Sequence, residues 1–288
     1  MKDKIKKWLA ASLFAAYHKR ILKNRVHVCS IEETVKTLLD TKKSLVRFGD
    51  GEIKLIAGRE IPFQKPDAVL TARLKEIISG KEEGLLVALP DIFEDLSAYV
   101  SKSQEFWMEH MLFHRKDYER ICRKDIVYQN AFFSRPYIMY RDRSGCSELF
   151  SKMKEIWNNQ KIVFVEGEIS HNGVDVDLFD NVISVERVIC PSTQAWNYYE
   201  KILETCKKLP KDRLLLVSLG AAGKVLTIDL HKEGYRVLDV GSLDMEYGWF
   251  CEKAESKCRV PKHEISTREE NEAAGYYEYL GQIVSIIR

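Results

Sequence analysis

Two pairs of acidic residues share a one-residue separation, and each pair follows a segment that is typical of a buried strand. Asp50 and Glu52 form one pair, and Asp244 and Glu246 form the other. Two carboxylates at this spacing in a loop can bind one hard cation, and either can instead act as a general base. Because ligands of open α/β sheets bind at the carboxyl ends of strands, each pair is a candidate metal or catalytic site. The alternative is solvated surface.

Arg47 and Gly49 precede the first acidic pair and add two properties to it. Gly49 lets the backbone turn where a side chain would clash, and Arg47 supplies a permanent cation that can hold a phosphate. The segment also fits a plain turn in which Asp50 caps the next helix and pairs with Arg47. The sequence leaves both interpretations open.

The best candidate for a phosphate site is a glycine-rich turn after the most apolar predicted strand. From Ser218 it reads Ser-Leu-Gly-Ala-Ala-Gly-Lys, and Gly220 and Gly223 would let backbone N–H groups approach a phosphate. It is not a Walker A loop, which requires Gly at Ser218 and Ser or Thr at Val225. Asp239 ends the next predicted strand, where Rossmann proteins place an acid on a ribose hydroxyl. The alternative is a turn whose glycines serve only helix–sheet packing.

Three further charged residues are site candidates. Glu168 follows another predicted strand and suits base catalysis or carbohydrate binding, because carboxylates, amides and aromatic faces bind sugars. Arg135 and Arg187 suit phosphate contact. Each also has a structural interpretation, a polar loop for Glu168 and an ion pair for either arginine.

Strands alternate with helices along the chain. The predicted strands are 44–48, 85–89, 126–128, 162–165, 182–185, 214–218 and, as the last, 235–240; the predicted helices are 31–39, 67–79, 91–122 and one from the Gly220 turn through His231. Ser30 and Glu33 form a capping box for the first helix. This alternation predicts an α/β fold with a Rossmann-like, doubly wound, mostly parallel sheet. With no repeat or linker, we expect one domain over residues 26–288 after an N-terminal helix.

Composition narrows the class of protein. The chain has 288 residues, 45% hydrophobic and 31% charged, as in ordinary globular proteins, and its net charge of +2 gives no argument for a nucleic-acid partner. Seven cysteines without paired spacing are typical of reduced cytosolic thiols rather than of disulfides or a zinc site. We therefore expect a cytoplasmic protein.

Residues 1–25 carry eight Lys and Arg residues around an apolar middle. The apolar stretch is shorter than the roughly 20 residues that span a bilayer. Its helical spacing predicts a basic amphipathic helix, which would lie on the inner face of the cell membrane or pack on the body of the protein or on a second copy.

Short motifs along the chain resemble those of the GT-D-type glycosyltransferases, bacterial enzymes formerly classed as a domain of unknown function. The motifs run in order from about Ile31 to Glu264: Arg47-Phe-Gly-Asp-Gly-Glu52, Phe63-Gln64, Arg135-Pro-Tyr137, Glu166-Gly-Glu168, Asp177-Leu-Phe179, Arg187, Cys190-Pro-Ser192, Leu219-Gly220, Asp239-Val-Gly241 and Asp244-Met-Glu-Tyr247. One departure from the family pattern is His171 with Gly173-Val-Asp-Val-Asp-Leu-Phe179, which leaves the fold and donor class intact and the acceptor open.

The resemblance implies transfer of a sugar, typically glucose from UDP-glucose, to a glycan on a bacterial adhesin or in a surface polysaccharide. It also implies a divalent metal, Mn²⁺ or Mg²⁺, held by an acid-x-acid motif. Asp244 and Glu246 are the predicted ligands because they follow the glycine-rich turn. The predicted catalytic residues are Asp50, Glu52 and Glu168, and the predicted donor-binding residues are Arg47, Gly49, Arg135, Arg187, Gly220, Gly223 and Asp239.

Two other classes of function compete with this one. Gly220, Gly223 and Asp239 would also suit a Rossmann enzyme that uses NAD or S-adenosylmethionine, which leaves the acidic pairs unexplained. The basic N-terminal segment would also suit a non-catalytic scaffold at the membrane.

Overall fold

A single parallel sheet of nine strands organises the part of the chain that the structure describes, which is residues 5, 8–9, 11–12, 26–80, 82–264 and 276–288 of a computed structural model. The strands are β1 (His27–Val28), β2 (Ser44–Arg47), β3 (Leu85–Leu89), β4 (Val127–Asn130), β5 (Lys161–Gly167), β6 (Ser184–Cys190), β7 (Arg213–Ser218), β8 (Arg236–Asp239) and β9 (Ile283–Ile286). Their spatial order is β1-β4-β3-β2-β8-β7-β5-β6-β9. The predicted parallel α/β sheet is confirmed.

Nine helices of the described residues connect and cover these strands. They are α1 (Ile31–Thr41), α2 (Asp50–Ile56), α3 (Ala68–Ile78), α4 (Ser101–Ile121), α5 (Cys146–Trp157), α6 (Tyr199–Cys206), α7 (Gly220–Lys232), α8 (Leu243–Cys251) and α9 (Tyr276–Gly281). The predicted capping box is present at α1, where the Ser30 hydroxyl accepts from the Glu33 N–H at 3.1 Å and the Glu33 carboxylate accepts from the Ser30 N–H at 2.8 Å.

The two halves of the sheet meet between β2 and β8. From β2 the chain builds β3 and then β4 toward one edge, and the later strands β5 to β8 form the other half. β8 closes the gap by pairing with β2, with Leu45 opposite Leu238. Both of these side chains are fully buried, as expected for a sheet covered on its two faces. In such folds the crevice where strand order reverses is the usual ligand site.

Three predictions about the elements are wrong. The strand at 235–240 is not the last, because β9 pairs with β6 at the sheet edge, where Val284 and Ile286 stay exposed. The predicted helix at 91–122 begins only at Ser101, and the preceding segment is instead held in a loop, where the Val100 N–H donates to the Met139 carbonyl at 2.9 Å. The segment of the second acidic pair, predicted as a loop, forms α8.

Of the predicted helix at 1–25, all but Ile5, Trp8, Leu9, Ala11 and Ser12 lie outside the described residues, so it stays a prediction. Among the helices that the structure does describe, none combines the length and the apolar character needed to cross a membrane. All seven cysteines are free thiols.

Candidate active site

A cleft of about 460 Å³ opens over the carboxyl ends of the strands, at the junction of β2 and β8. Six of the predicted site residues line it: Arg47, Gly49, Asp50, Glu52, Arg135 and Gly220. Six do not line it: Glu168, Arg187, Gly223, Asp239, Asp244 and Glu246. Half of the residues predicted from the sequence therefore lie at one cleft, and the other half make contacts elsewhere that are described below.

The first acidic pair lies in the first turn of α2, at the cleft. Glu52 turns back over the helix end, where its carboxylate accepts from the Gly49 N–H at 2.7 Å. Asp50 is about one-third exposed and pairs with Lys54 at 2.5 Å. A Cβ at Gly49 would lie 3.3 Å from the Glu52 carboxylate, so a small residue suits the position. Each carboxylate keeps one oxygen that accepts no hydrogen bond from the described residues.

A buried charge network supports the floor of this cleft. The Lys224 ammonium lies 2.5 Å from Asp239 and 3.8 Å from Glu52. Asp239 also accepts from the Arg47 N–H at 3.1 Å and from its guanidinium at 3.3 Å. Burial opposes the charge of Asp239, but Lys224 and Arg47 outweigh it and hold the pKa of this carboxyl below its usual range. Asp239 thus lies beneath the cleft and fixes two of its cations.

The two glycines of the phosphate-like turn have different roles. Gly220, the first residue of α7, has a φ of +51°, a left-handed conformation that favours glycine, and it lines the cleft. A Cβ at Gly223 would lie 2.9 Å from the Val217 side chain, so this glycine lets the helix pack on β7. Gly223 therefore fits the packing interpretation, and Gly220 stays a candidate for phosphate binding.

Arg135 is a cation at the cleft whose Nε has no partner among the residues that the structure describes. Its Nε is buried and makes no hydrogen bond among the described residues, and no ion pair there involves its guanidinium. Burial lowers the pKa of Arg135. Because a desolvated charge is costly unless it is paired, this guanidinium is suited to an anionic ligand that enters the cleft.

The second acidic pair lies in the first turn of α8, and its two carboxylates contact different segments. Asp244 accepts from the Gly173 N–H at 2.7 Å, from His263 at 2.8 Å and from Lys262 at 2.8 Å. Glu246 accepts from the N–H groups of Tyr137 at 2.9 Å and Ile138 at 2.7 Å. The prediction that one cation binds both carboxylates assumed a loop, whereas in α8 the two carboxylates are held by different segments.

The surroundings of this second pair affect its two acids in opposite directions. Burial raises the pKa of Glu246, whose second oxygen has no partner among the described residues. Burial acts in the same sense on Asp244, but His263 and Lys262 outweigh it and lower the pKa of that carboxyl. Both side chains are at most 1% exposed, so they belong to the framework beside the cleft.

Arg187 lies away from the cleft in a second buried ion pair. Its guanidinium lies 2.6 Å from the Glu166 carboxylate and between the rings of Phe164 and Tyr279. Its Nε donates to Gln282 at 2.8 Å. These contacts join the end of the chain to the sheet.

Glu168 is half-buried at the end of β5, between two residues that line the cleft, Gly167 and Ile169. Its carboxylate makes no hydrogen bond or ion pair among the described residues.

Two lysines and a tryptophan are among the cleft residues that were not assigned from the sequence. Lys224 directly follows Gly223, so the glycine-rich turn itself carried the signal. Lys54 lies one helical turn after Asp50, and this spacing indicates a pair on one helix face. Trp107 reaches the cleft from α4, and nothing in its local sequence indicates that contact.

Three comparisons with known proteins agree on a family. A family profile for the glycosyltransferase GT-D fold matches residues 45–268. The chain is 42% identical over 237 residues to the probable glycosyl transferase Gly of Streptococcus gordonii, covering 82% of this chain and 35% of that protein. It is 40% identical over 247 residues to glycosyltransferase GlyD of Streptococcus pneumoniae serotype 4, covering 85% and 30%. The chain thus spans about a third of the length of these curated relatives.

A solved structure of a glycosyltransferase (DUF1792) from Streptococcus sanguinis is 37% identical to the chain with a TM-score of 0.83, and the match covers 92% of this chain and 100% of that one.

Proposed function

The chain belongs to the glycosyltransferase GT-D family, and on this premise we propose that it transfers a hexose, glucose, from a UDP-sugar to a hydroxyl group of a glycan on a bacterial adhesin or in a surface polysaccharide. The observation that carries the proposal is the composition of one cleft. It combines two carboxylates that each have one oxygen accepting no hydrogen bond from the described residues, the half-buried Arg135, whose Nε has no hydrogen-bond partner among those residues, and the first turn of α7.

The cationic side of the cleft supports binding of the donor's diphosphate. Arg135 is half-buried and its Nε has no hydrogen-bond partner among the described residues, so pairing with a phosphate would satisfy this cation. The N-terminus of α7 presents backbone N–H groups from Gly220 onward, where phosphates are commonly bound. Charge on the departing diphosphate grows as the glycosidic bond breaks, so both contacts strengthen in the transition state.

A carboxylate next to the cleft-lining residues Gly167 and Ile169 supports proton removal from the acceptor. In a direct displacement, the acceptor oxygen bonds to the anomeric carbon while the bond from that carbon to the phosphate oxygen breaks. The acceptor's proton goes to a general base. We assign this role to Glu168, because its carboxylate has no protein partner among the described residues and its chain neighbours line the cleft.

A divalent ion fits the first acidic pair better than the second. Asp50 and Glu52 both line the cleft, and each keeps one oxygen without a hydrogen-bond donor, as hard cations require. Within the described residues no group of three or more His, Cys, Asp or Glu side chains could hold a metal, so the donor phosphates would supply further ligands. When bound there, such an ion would neutralise charge on the diphosphate.

Thermal shift of the full chain tests the proposal. We expect UDP and UDP-glucose, each with manganese, to raise the unfolding temperature, while NAD and S-adenosylmethionine leave it unchanged. A ligand at about a hundred times its dissociation constant stabilises by about 2.7 kcal/mol, which is readily detected. A shift with NAD or S-adenosylmethionine alone would overturn the proposal in favour of the other Rossmann class.

A second test replaces the assigned base. Glu168→Gln should lower the rate of UDP release in the presence of acceptor by about 10²–10⁴-fold while UDP affinity is unchanged. An unchanged rate would exclude Glu168 as the base and leave the donor site intact.

A further inference from the structure

The cleft has two exposed apolar side chains in addition to its charged floor. Of the large apolar residues that are exposed in the described part of the chain, only Phe63, at 60%, and Ile169, at 37%, line the cleft. Single exposed apolar residues are ordinary on a protein surface. Phe63 and Ile169, however, line the same cleft as Arg135, and apolar side chains combined with a few polar groups are typical of a ligand pocket.

The turn that carries Phe63 is held at both ends. Ile61 and Gln64 exchange both backbone hydrogen bonds at 3.2 Å, which closes the turn around Phe63. The Phe63 carbonyl accepts from the Gln194 N–H at 2.7 Å, which ties the turn to the segment after β6. The phenyl ring is thus presented by a fixed backbone.

A buried glutamine strengthens this attachment. Gln64 is only 4% exposed, and its side-chain oxygen accepts from the Trp196 N–H at 3.3 Å while its amide donates to Gln194 at 3.3 Å. Yet no aromatic ring among the described residues packs on Phe63 itself. A hydrogen-bonded turn therefore presents an aromatic face that the described residues leave open.

The ligand that fits this cleft has a flat apolar ring joined to an anionic group. Arg135 and the first turn of α7 supply the anion contacts, and Phe63 supplies the aromatic face. A nucleoside diphosphate has this combination, since every base has a π-face that stacks on an aromatic side chain. We propose that Phe63 is the platform on which the donor's base stacks, with Ile169 as a further apolar contact; this rests on the proposed function.

Calorimetry with three ligand fragments tests the platform in the full chain. We expect Phe63→Ala to weaken binding of UDP and UMP equally, by about 5- to 140-fold, the range known for loss of one base stack. Inorganic pyrophosphate should bind the variant and the wild type alike. Phe63→Trp should restore UDP affinity. The matched control is Phe113→Ala, which removes an exposed ring that does not line the cleft.

Several outcomes would overturn the platform. One is equal UDP affinity in the wild type and in Phe63→Ala. Another is a loss of pyrophosphate affinity in Phe63→Ala as large as the loss of UDP affinity, which would indicate a disturbed turn. A third is a raised KM for the acceptor alone, which would make Phe63 an acceptor contact. A wild-type chain that binds no UDP would instead overturn the proposed function, so the two failures are distinguishable.

Discussion

The two acid-x-acid pairs of this chain have the same spacing and the same place in a helix, and their surroundings differ. Asp50 and Glu52 lie in the first turn of α2, after β2, and Asp244 and Glu246 lie in the first turn of α8, after β8. β2 and β8 are neighbours in the sheet. Only the first pair lines the cleft, so partners and burial, rather than spacing, distinguish the two pairs.

The difference arises at the helix ends. A glycine precedes α2, and Glu52 folds back to its N–H, which places both carboxylates at the same helix end. At α8 the side chains extend to either side, where the backbone of Tyr137 and Ile138 satisfies Glu246 and a lysine and a histidine satisfy Asp244. The first pair is therefore expected to affect activity and the second to affect stability.

The largest effect is expected from Asp50→Asn. Loss of this cleft charge should lower transfer on the order of 10²–10³-fold. The free energy of unfolding should change by about 1 kcal/mol or less, because the lost ion pair with Lys54 is partly exposed. UDP release and urea unfolding measure the two effects. Asp40→Asn removes a surface carboxylate paired with Lys36 at the same i,i+4 spacing and is the control. Full activity in Asp50→Asn would contradict the expectation that the first acidic pair affects activity.

The next effect is on stability. Asp244→Ala should lower the free energy of unfolding by about 3–5 kcal/mol, since it leaves the largely buried Lys262 and His263 without their carboxylate partner and the Gly173 N–H without its acceptor. The activity of the molecules that remain folded should be close to that of the wild type. Urea unfolding, with activity measured at low denaturant, separates the two. An inactive but fully stable variant would assign Asp244 to catalysis instead.

The smallest effect is expected on the pH dependence of stability, at Glu246 of the buried second pair. Because the folded-state pKa of Glu246 is raised, its contribution to stability is fully present below the unfolded pKa and is lost as pH rises through the folded pKa. Glu246→Gln keeps an acceptor and removes that loss, so at neutral pH it should be as stable as the wild type or more stable, by about 1 kcal/mol.

Urea unfolding from acid to neutral pH measures this difference. Glu252→Gln, at the exposed end of α8, serves as the control and should follow the wild-type pH curve. A Glu246→Gln variant that is much less stable at pH 7 would show that the charge of Glu246 is needed by the fold.

The sequence predicted what depends on local pattern. Apolar runs gave the inner strands, and a Ser30–Glu33 box gave the start of α1, because these signals lie within a few residues. β9 was missed because an edge strand exposes alternate residues and lacks a continuous apolar run. The helix α8 was missed because Ser242 at its N-cap is followed three residues later by Met245 rather than by Glu or Gln, so no capping box marks its start.

Contacts between side chains that are distant in the sequence could not be predicted from local sequence patterns. Arg187 looked like a phosphate ligand until the fold brought Glu166 and Gln282 to it. Asp239 stands where Rossmann proteins place an acid on a ribose hydroxyl, yet its carboxylate forms ion pairs with Arg47 and Lys224. Arg135 differs because its Nε finds no partner among the described residues, and that absence could be found only from the structure.

The most direct test of the central claim is the affinity for UDP, with manganese present, of two conservative variants measured by calorimetry. Glu52→Gln and Glu246→Gln each remove one negative charge from one of the two pairs. We expect Glu52→Gln to lose manganese-dependent UDP binding and Glu246→Gln to bind UDP as the wild type does. Loss of binding in Glu246→Gln with full binding in Glu52→Gln would contradict this expectation and return the metal to the second pair.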